Sequence, residues 1–99
     1  MPTNYARRGQ TLTVPGVGDH RVAHPADVAN LIYVGDRCVG VSEHWSGYQG
    51  SNNKPGGDRY LLIREGVLVE TPRESVPAEA ERICRDCVTG RVFREKARR

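Results

Sequence analysis

Ninety-nine residues with 15 basic and 12 acidic groups, 37% hydrophobic content, one Trp, one Phe and four Tyr suit one domain with a core of Val, Leu, Ile and Ala. An odd count of three cysteines argues against a closed disulfide framework, and no apolar run approaches the length that spans a bilayer. No basic segment followed by an apolar one opens the chain and no internal repeat or low-complexity array is present, so the expectation is a reduced, cytoplasmic domain.

Charge is uneven along the chain. Residues 90–99 hold Arg91, Arg94, Lys96, Arg98 and Arg99 against Glu95, while residues 10–89 carry eight basic and eleven acidic groups. The basic character therefore belongs to the ends, and it serves either solubility or contact with an acidic partner such as nucleic acid. Thirteen of the 15 basic residues are Arg, a bias of GC-rich coding such as that of an actinobacterium or one of its phages.

In chain order, residues 1–9 show no periodicity and are expected as a flexible arm ahead of a single globular domain over 10–90. Residues 10–14 alternate, with Leu12 and Val14 on one side, and predict a short strand ended by the Pro15–Asp19 turn chemistry. His24-Pro25-Ala26-Asp27 has Pro and an acid where a helix would start, and the one or two turns that fit before the next strand predict a short helix or a turn of 3₁₀ type.

Residues 31–41 are the densest apolar run. Gly35-Asp36 at its middle predicts a two-residue hairpin turn. The pairing then sets Val34 opposite Arg37, Tyr33 opposite Cys38, Ile32 opposite Val39 and Leu31 opposite Gly40. Ile32, Val34, Val39 and Val41 would share one face, and Leu31, Tyr33 and Cys38 the other, so both faces need cover. Glu65-Gly66 predicts a second hairpin, with Tyr60, Leu62, Val67 and Val69 on one face and Leu61, Ile63 and Leu68 on the other. One hairpin alone is marginal in water, so the two are expected to pair. Between them lies a polar stretch over 46–58 with four Gly, two Asn and a Pro, long enough without periodicity to suggest a binding loop.

A C-terminal helix is predicted over 76–89. Ser75 can cap it, Pro77 suits its first turn, Gly90 can stop it, and Val76, Ala80, Ile83, Cys84, Cys87 and Val88 form an apolar stripe. Residues 91–99 follow as a basic tail in which Val92 and Phe93 have no assigned role. The expected fold is thus α+β: a small antiparallel sheet of four or five strands, up to a partly closed barrel, with one α-helix across it.

Cys84-Arg-Asp-Cys87 is half of a tetrahedral zinc site, for which His20 and His24 are the candidate further ligands, with Cys38 or His44 behind them. Against zinc stands burial of both thiols on the helix stripe, where Cys acts as a small hydrophobe, and no cofactor is expected. For catalysis, Cys38 or Ser46 with His44 as base, or a Glu43 and Asp58 carboxylate pair, lacks a third orienting group in the spacing. The chain is therefore expected not to be an enzyme but a small binding module. It would engage a host or partner protein through the 45–59 loop and its sheet edge, with Trp45, Tyr48, Lys54, Arg59 and Tyr60 as contacts. The alternative is nucleic-acid binding, with the same aromatic loop stacking bases and Arg91, Arg94, Lys96, Arg98 and Arg99 holding phosphates.

Overall fold

The computed structural model describes residues 4–47, 55–85 and 92–96, with 84, 85 and 92–96 described by backbone alone. Nine strands run through them: β1 (Tyr5–Arg7), β2 (Thr11–Val14), β3 (Gly18–Arg21), β4 (Val28–Val34), β5 (Arg37–Trp45), β6 (Gly57–Arg64), β7 (Val67–Thr71), β8 (Glu81–Arg85) and β9 (Val92–Lys96). Seven form one antiparallel sheet in the order β7-β6-β5-β4-β8-β9, with β1 also on β4, and β2 pairs with β3 as a separate ribbon. The sheet is open among the described residues and has more strands than the four or five expected.

Both predicted hairpins form, and they join through β5 and β6. Gly35 takes φ 60°, as the first central residue of a II′ turn requires, whereas Glu65 at 52° and Gly66 at 79° match type I′. In the second hairpin Arg64 meets Val67 and Leu62 meets Val69, in the expected register. The first departs after two pairs. Val34 faces Arg37 and Tyr33 faces Cys38, but Ile32 faces Gly40 and Leu31 faces Val41, because a β-bulge inserts one extra residue on β5. Val41 therefore moves to the face of Leu31, where both are buried.

The bulge is tied to Gly40. A Cβ there would lie 2.2 Å from the Leu61 carbonyl oxygen, so the strand approach between β5 and β6 admits no side chain.

The two faces of the sheet are covered differently. On the first, the β2-β3 ribbon lays Leu12 and Val14 over Ala6, Ala29, Leu31 and Val41. On the second, Val76 and Ala80 close over Ile32, Val39 and Leu62, with Val34 and Tyr60 at the margin. Leu12, Ile32, Val41 and Val76 are each at most 1% exposed, and full burial of such a side chain stabilises by about 1.5–3 kcal/mol.

The predicted C-terminal helix is not there. Arg73–Ser75 is a single 3₁₀ turn, Glu81–Arg85 is a strand, and no α-helix occurs among the described residues. The physical reason is the free edge of β4. Strand β1 pairs with Val28, Ala29 and Asn30, and the Asn4 carbonyl just ahead of it accepts the Leu31 N–H; the rest of the outward edge falls to β8, whose register sets Leu31 with Ile83 and Tyr33 with Glu81. Buried backbone groups must find partners, and a helix over 76–89 would have left these without a ladder. Val76 and Ala80 do share a buried side, but a single turn closed by Ala80 N–H to Pro77 O brings them there. One turn thus reproduced the spacing of a helical stripe.

Two smaller expectations change as well. The N-terminal arm is in part strand β1, with Tyr5 and Ala6 buried, and the basic tail is in part β9, paired to β8. Of the two forms expected after His24, the turn is the one present: Ala26 N–H bonds to Ala23 O three residues back, with the His24–Pro25 peptide cis, and the chain leads into β4. Residues 86–90, the end of the predicted helix, lie outside the described residues.

Candidate functional site

Register places the polar residues of β5 and β6 in alternating pairs, Glu43 with Arg59 on the first face and His44 with Asp58 on the second. Glu43 is 1% exposed, the most deeply buried charged side chain described. Its Oε1 accepts from Arg59 Nε at 2.8 Å and from Arg59 Nη2, and its Oε2 lies 2.9 Å from His20 Nε2 on β3. A carboxylate taken this far from water survives only with such partners. Here they fasten the β2-β3 ribbon to the sheet. Arg59 extends beyond Glu43 toward Glu70, 4.0 Å away across the second hairpin.

On the second face His44 Nδ1 lies 2.9 Å from Asp58 Oδ1, and Arg82 Nη1 is 3.8 Å from the same oxygen. Asp58 orients the half-exposed imidazole through Nδ1, and among the described residues no nucleophile is hydrogen-bonded to it. Ser42, on the same face, is fully buried, and among the described residues neither its Oγ nor Asn30 Oδ1 directly opposite it has a hydrogen-bond partner. Ser46 donates its backbone N–H to Asp27 Oδ2.

Two of the catalytic groupings weighed from the sequence do not assemble. Cys38 lies six residues from His44 along β5, on the order of 20 Å at extended rise. Glu43 and Asp58 project from opposite faces. Cys38 instead faces Tyr33 and points its thiol at the Gly40 carbonyl 3.7 Å away. Burial pushes both the Cys38 thiol and the Tyr33 phenol above their ordinary pKa, and the neighbouring thiol adds to the rise at Tyr33. Cys38 borders a concavity of about 530 Å³ between the turns, with Pro15, Asp36, Leu62, Arg64 and Pro77 around it.

A second open concavity, about 550 Å³, lies where β5 ends and β6 begins. Pro25, Trp45, Asp58, Arg59, Tyr60, Glu70, Thr71, Pro72 and Arg73 line it. Trp45 lies flat on the backbone of its register partner: a Cβ on Gly57 would come within 2.6 Å of the indole. Glycine at 57 thus seats the aromatic wall.

Of the five residues expected to contact a partner, Trp45, Arg59 and Tyr60 meet at this concavity, while Tyr48 and Lys54 lie outside the described residues. Of the basic set, Arg94 and Lys96 stand in β9 opposite Ile83 and Glu81, and Arg91, Arg98 and Arg99 lie outside the described residues. Of the zinc candidates, Cys84 is in β8 rather than on a helix stripe, Cys87 lies outside the described residues, His20 is held by Glu43 and His24 sits in the turn before β4. No group of three His, Cys, Asp or Glu side chains that could hold a metal occurs among the described residues, nor any helix long and apolar enough to cross a membrane.

Sequence reasoning missed the roles of Glu43 and Glu70, of Pro72 and Arg73, and of Pro25. Alternation within β5 marks Glu43 as lying on the face of Val41, an inward position for a charge. Its partner becomes visible only once the β5-β6 register is known. No protein-family model, curated protein or solved structure matches this chain.

Proposed function

We propose that this chain is a non-enzymatic protein-binding module that receives a segment of a partner protein in the Trp45 concavity. The observation that carries the reading is the convergence there of an aromatic wall, two acids, two arginines and two prolines from four separate stretches of chain. Trp, Tyr and Arg are the side chains on which interface energy concentrates, and prolines wall a groove without an N–H to satisfy. The ring of Asp58, Arg59, Glu70 and Arg73 gives the rim both signs of charge, suited to a segment that is polar at its ends and apolar at its centre.

Selection of displayed peptides against the whole protein tests this reading. Peptides are expected to emerge whose affinity falls about tenfold or more in Trp45→Ala and in Arg73→Ala, the range of interface anchors. Failure to select any binder, or binders indifferent to both changes, sinks it.

A second reading, contact with nucleic acid, is favoured by Arg94 and Lys96, which stand two residues apart on β9, the last strand of the sheet among the described residues. Retention on DNA or RNA at low salt that Arg94→Glu abolishes would support it. No retention at low salt would remove it.

A further inference from the structure

Among the described residues the sheet ends in two unlike strands. Strand β9 reads Val-Phe-Arg-Glu-Lys, and charges of both signs along an edge oppose pairing with another chain. Strand β7 reads Val-Leu-Val-Glu-Thr. Its Val67 and Val69 are 56% and 42% exposed, the large apolar side chains left open among the described residues. An unguarded edge with open valines on one face is the form of strand that pairs with another strand.

Register shows which backbone groups β7 offers. A two-residue turn makes Arg64 and Val67 a hydrogen-bonded pair, and the alternation along an antiparallel ladder then turns Val67, Val69 and Thr71 inward to β6. Leu68 and Glu70 direct their N–H and C=O groups outward. Two outward residues separated by one make a self-complementary edge: an antiparallel copy of β7 centred on Val69 sets Leu68 against Glu70 and Glu70 against Leu68, closing four backbone hydrogen bonds. Val69 meets Val69 of the second copy at the two-fold axis, in the closer, non-hydrogen-bonded kind of pair, and Val67 meets Thr71.

Charge agrees with this register and with no one-residue slip. Continuing outward from the strands, Glu65 at the hairpin turn comes to Arg73 just past the strand end of the second copy, twice over by symmetry. Both side chains are exposed. A slip of one residue would turn the inward groups of one copy toward the outward groups of the other and break the ladder. The same alternation places Val67 and Val69 of both copies together on the second face.

We infer that β7 is a homodimerisation edge, pairing antiparallel with β7 of a second copy of this chain about Val69 and extending the sheet across the interface. The inference rests on the β7 main chain and its valines and not on the aromatic wall of the Trp45 concavity, although Glu70, Thr71 and Arg73 of that concavity also fall within the paired register.

Sedimentation equilibrium on the whole protein at low salt tests it. The mass is expected to rise from the monomer's 11.0 kDa toward twice that value as concentration increases. Glu70→Pro removes one outward N–H and no bond of the β6-β7 ladder, and Val69→Lys sets like charges at the axis; both are expected to hold the protein monomeric while circular dichroism stays unchanged. Val69→Lys, at an exposed position, carries the test should Glu70→Pro disturb the fold. Glu65→Arg and Arg73→Glu are each expected to weaken the dimer about tenfold, since each sets like charges at two symmetric sites, and the double reversal to restore it. Trp45→Ala is expected to leave the dimer intact. A wild type that stays monomeric, a dimer that survives both Glu70→Pro and Val69→Lys, or a double reversal as weak as the single ones overturns the inference.

Discussion

The β4-β5 and β6-β7 hairpins start from the same two-residue device and end at opposite depths. The first is hydrogen-bonded on both of its outer edges, by β1 and β8 on one side and by β6 on the other, and its Leu31, Ile32, Val39 and Val41 are at most 9% exposed. The second is hydrogen-bonded along one edge, and its last strand leaves Val67 and Val69 half open. Depth, more than turn chemistry, decides how much each residue matters. The central hairpin has bent its register with a bulge to fit its neighbours, whereas the outer one has kept the regular ladder that its turn dictates.

The largest expected effect falls at the bulge. Gly40→Val should cost about 3 kcal/mol or more, because its Cβ meets the Leu61 carbonyl at 2.2 Å and backbone, unlike a flexible side chain, cannot step aside. Urea denaturation measures this; a loss below about 1 kcal/mol would mean that the two strands part easily there. The corresponding change in the outer hairpin, Val69→Thr, should stay within about 0.5 kcal/mol, as exposed substitutions do.

Arg59 supplies the next contrast, since it stands between one acid from each hairpin. Glu43→Ala should cost about 3 kcal/mol, for it leaves a half-buried guanidinium without its carboxylate and releases His20 of the β2-β3 ribbon from the sheet. Glu70→Ala should cost about 0.5 kcal/mol or less, because Glu70 is 70% exposed and 4.0 Å away. Equal losses at the two positions would contradict the burial difference on which the comparison stands.

The same contrast explains what could be read ahead of the structure. Turn residues act locally, so Gly35-Asp36 and Glu65-Gly66 announced both hairpins, and the outer one followed its predicted register to the end. Leu12 and Val14 were legible for the same reason, each being buried on one side of a short strand. The bulge was not, because it answers to Leu61 on a strand twenty residues further along. Nor was β8: the pull that makes Glu81–Arg85 extended comes from the unpaired edge of β4, fifty residues upstream, and the 76, 80, 83, 84 spacing imitates a helix. At the site, Trp45, Arg59 and Tyr60 were legible from residue type. Pro25, Glu70, Pro72 and Arg73 were not, since only the sheet order brings their segments to the end of β5.

A smaller pair of effects lies in the turns themselves. Gly35→Ala and Gly66→Ala each place a Cβ at positive φ, 60° and 79°, and should each cost about 1–2 kcal/mol. Neither meets a steric obstacle beyond ordinary contact. The two losses should therefore be nearly equal despite the difference in depth, and a much larger loss at Gly35 would show that burial reaches out to the turn.

The smallest effect belongs to the central hairpin alone and appears only in alkaline solution. Burial raises the Cys38 thiol above its ordinary value, and burial together with that thiol raises Tyr33 opposite it. A group with a raised folded pKa holds its proton more tightly when folded, so its stabilising contribution is complete below the unfolded value, 9.0 for the thiol, and is lost as pH rises through the folded one. Unfolding free energy measured at increasing pH should accordingly fall above that point, and Cys38→Ala should flatten part of the fall by removing one titrating group and relieving the other. An unchanged slope in Cys38→Ala would mean that the thiol is as well hydrated in the folded chain as in the unfolded one, which its place between Tyr33 and the Gly40 carbonyl does not allow.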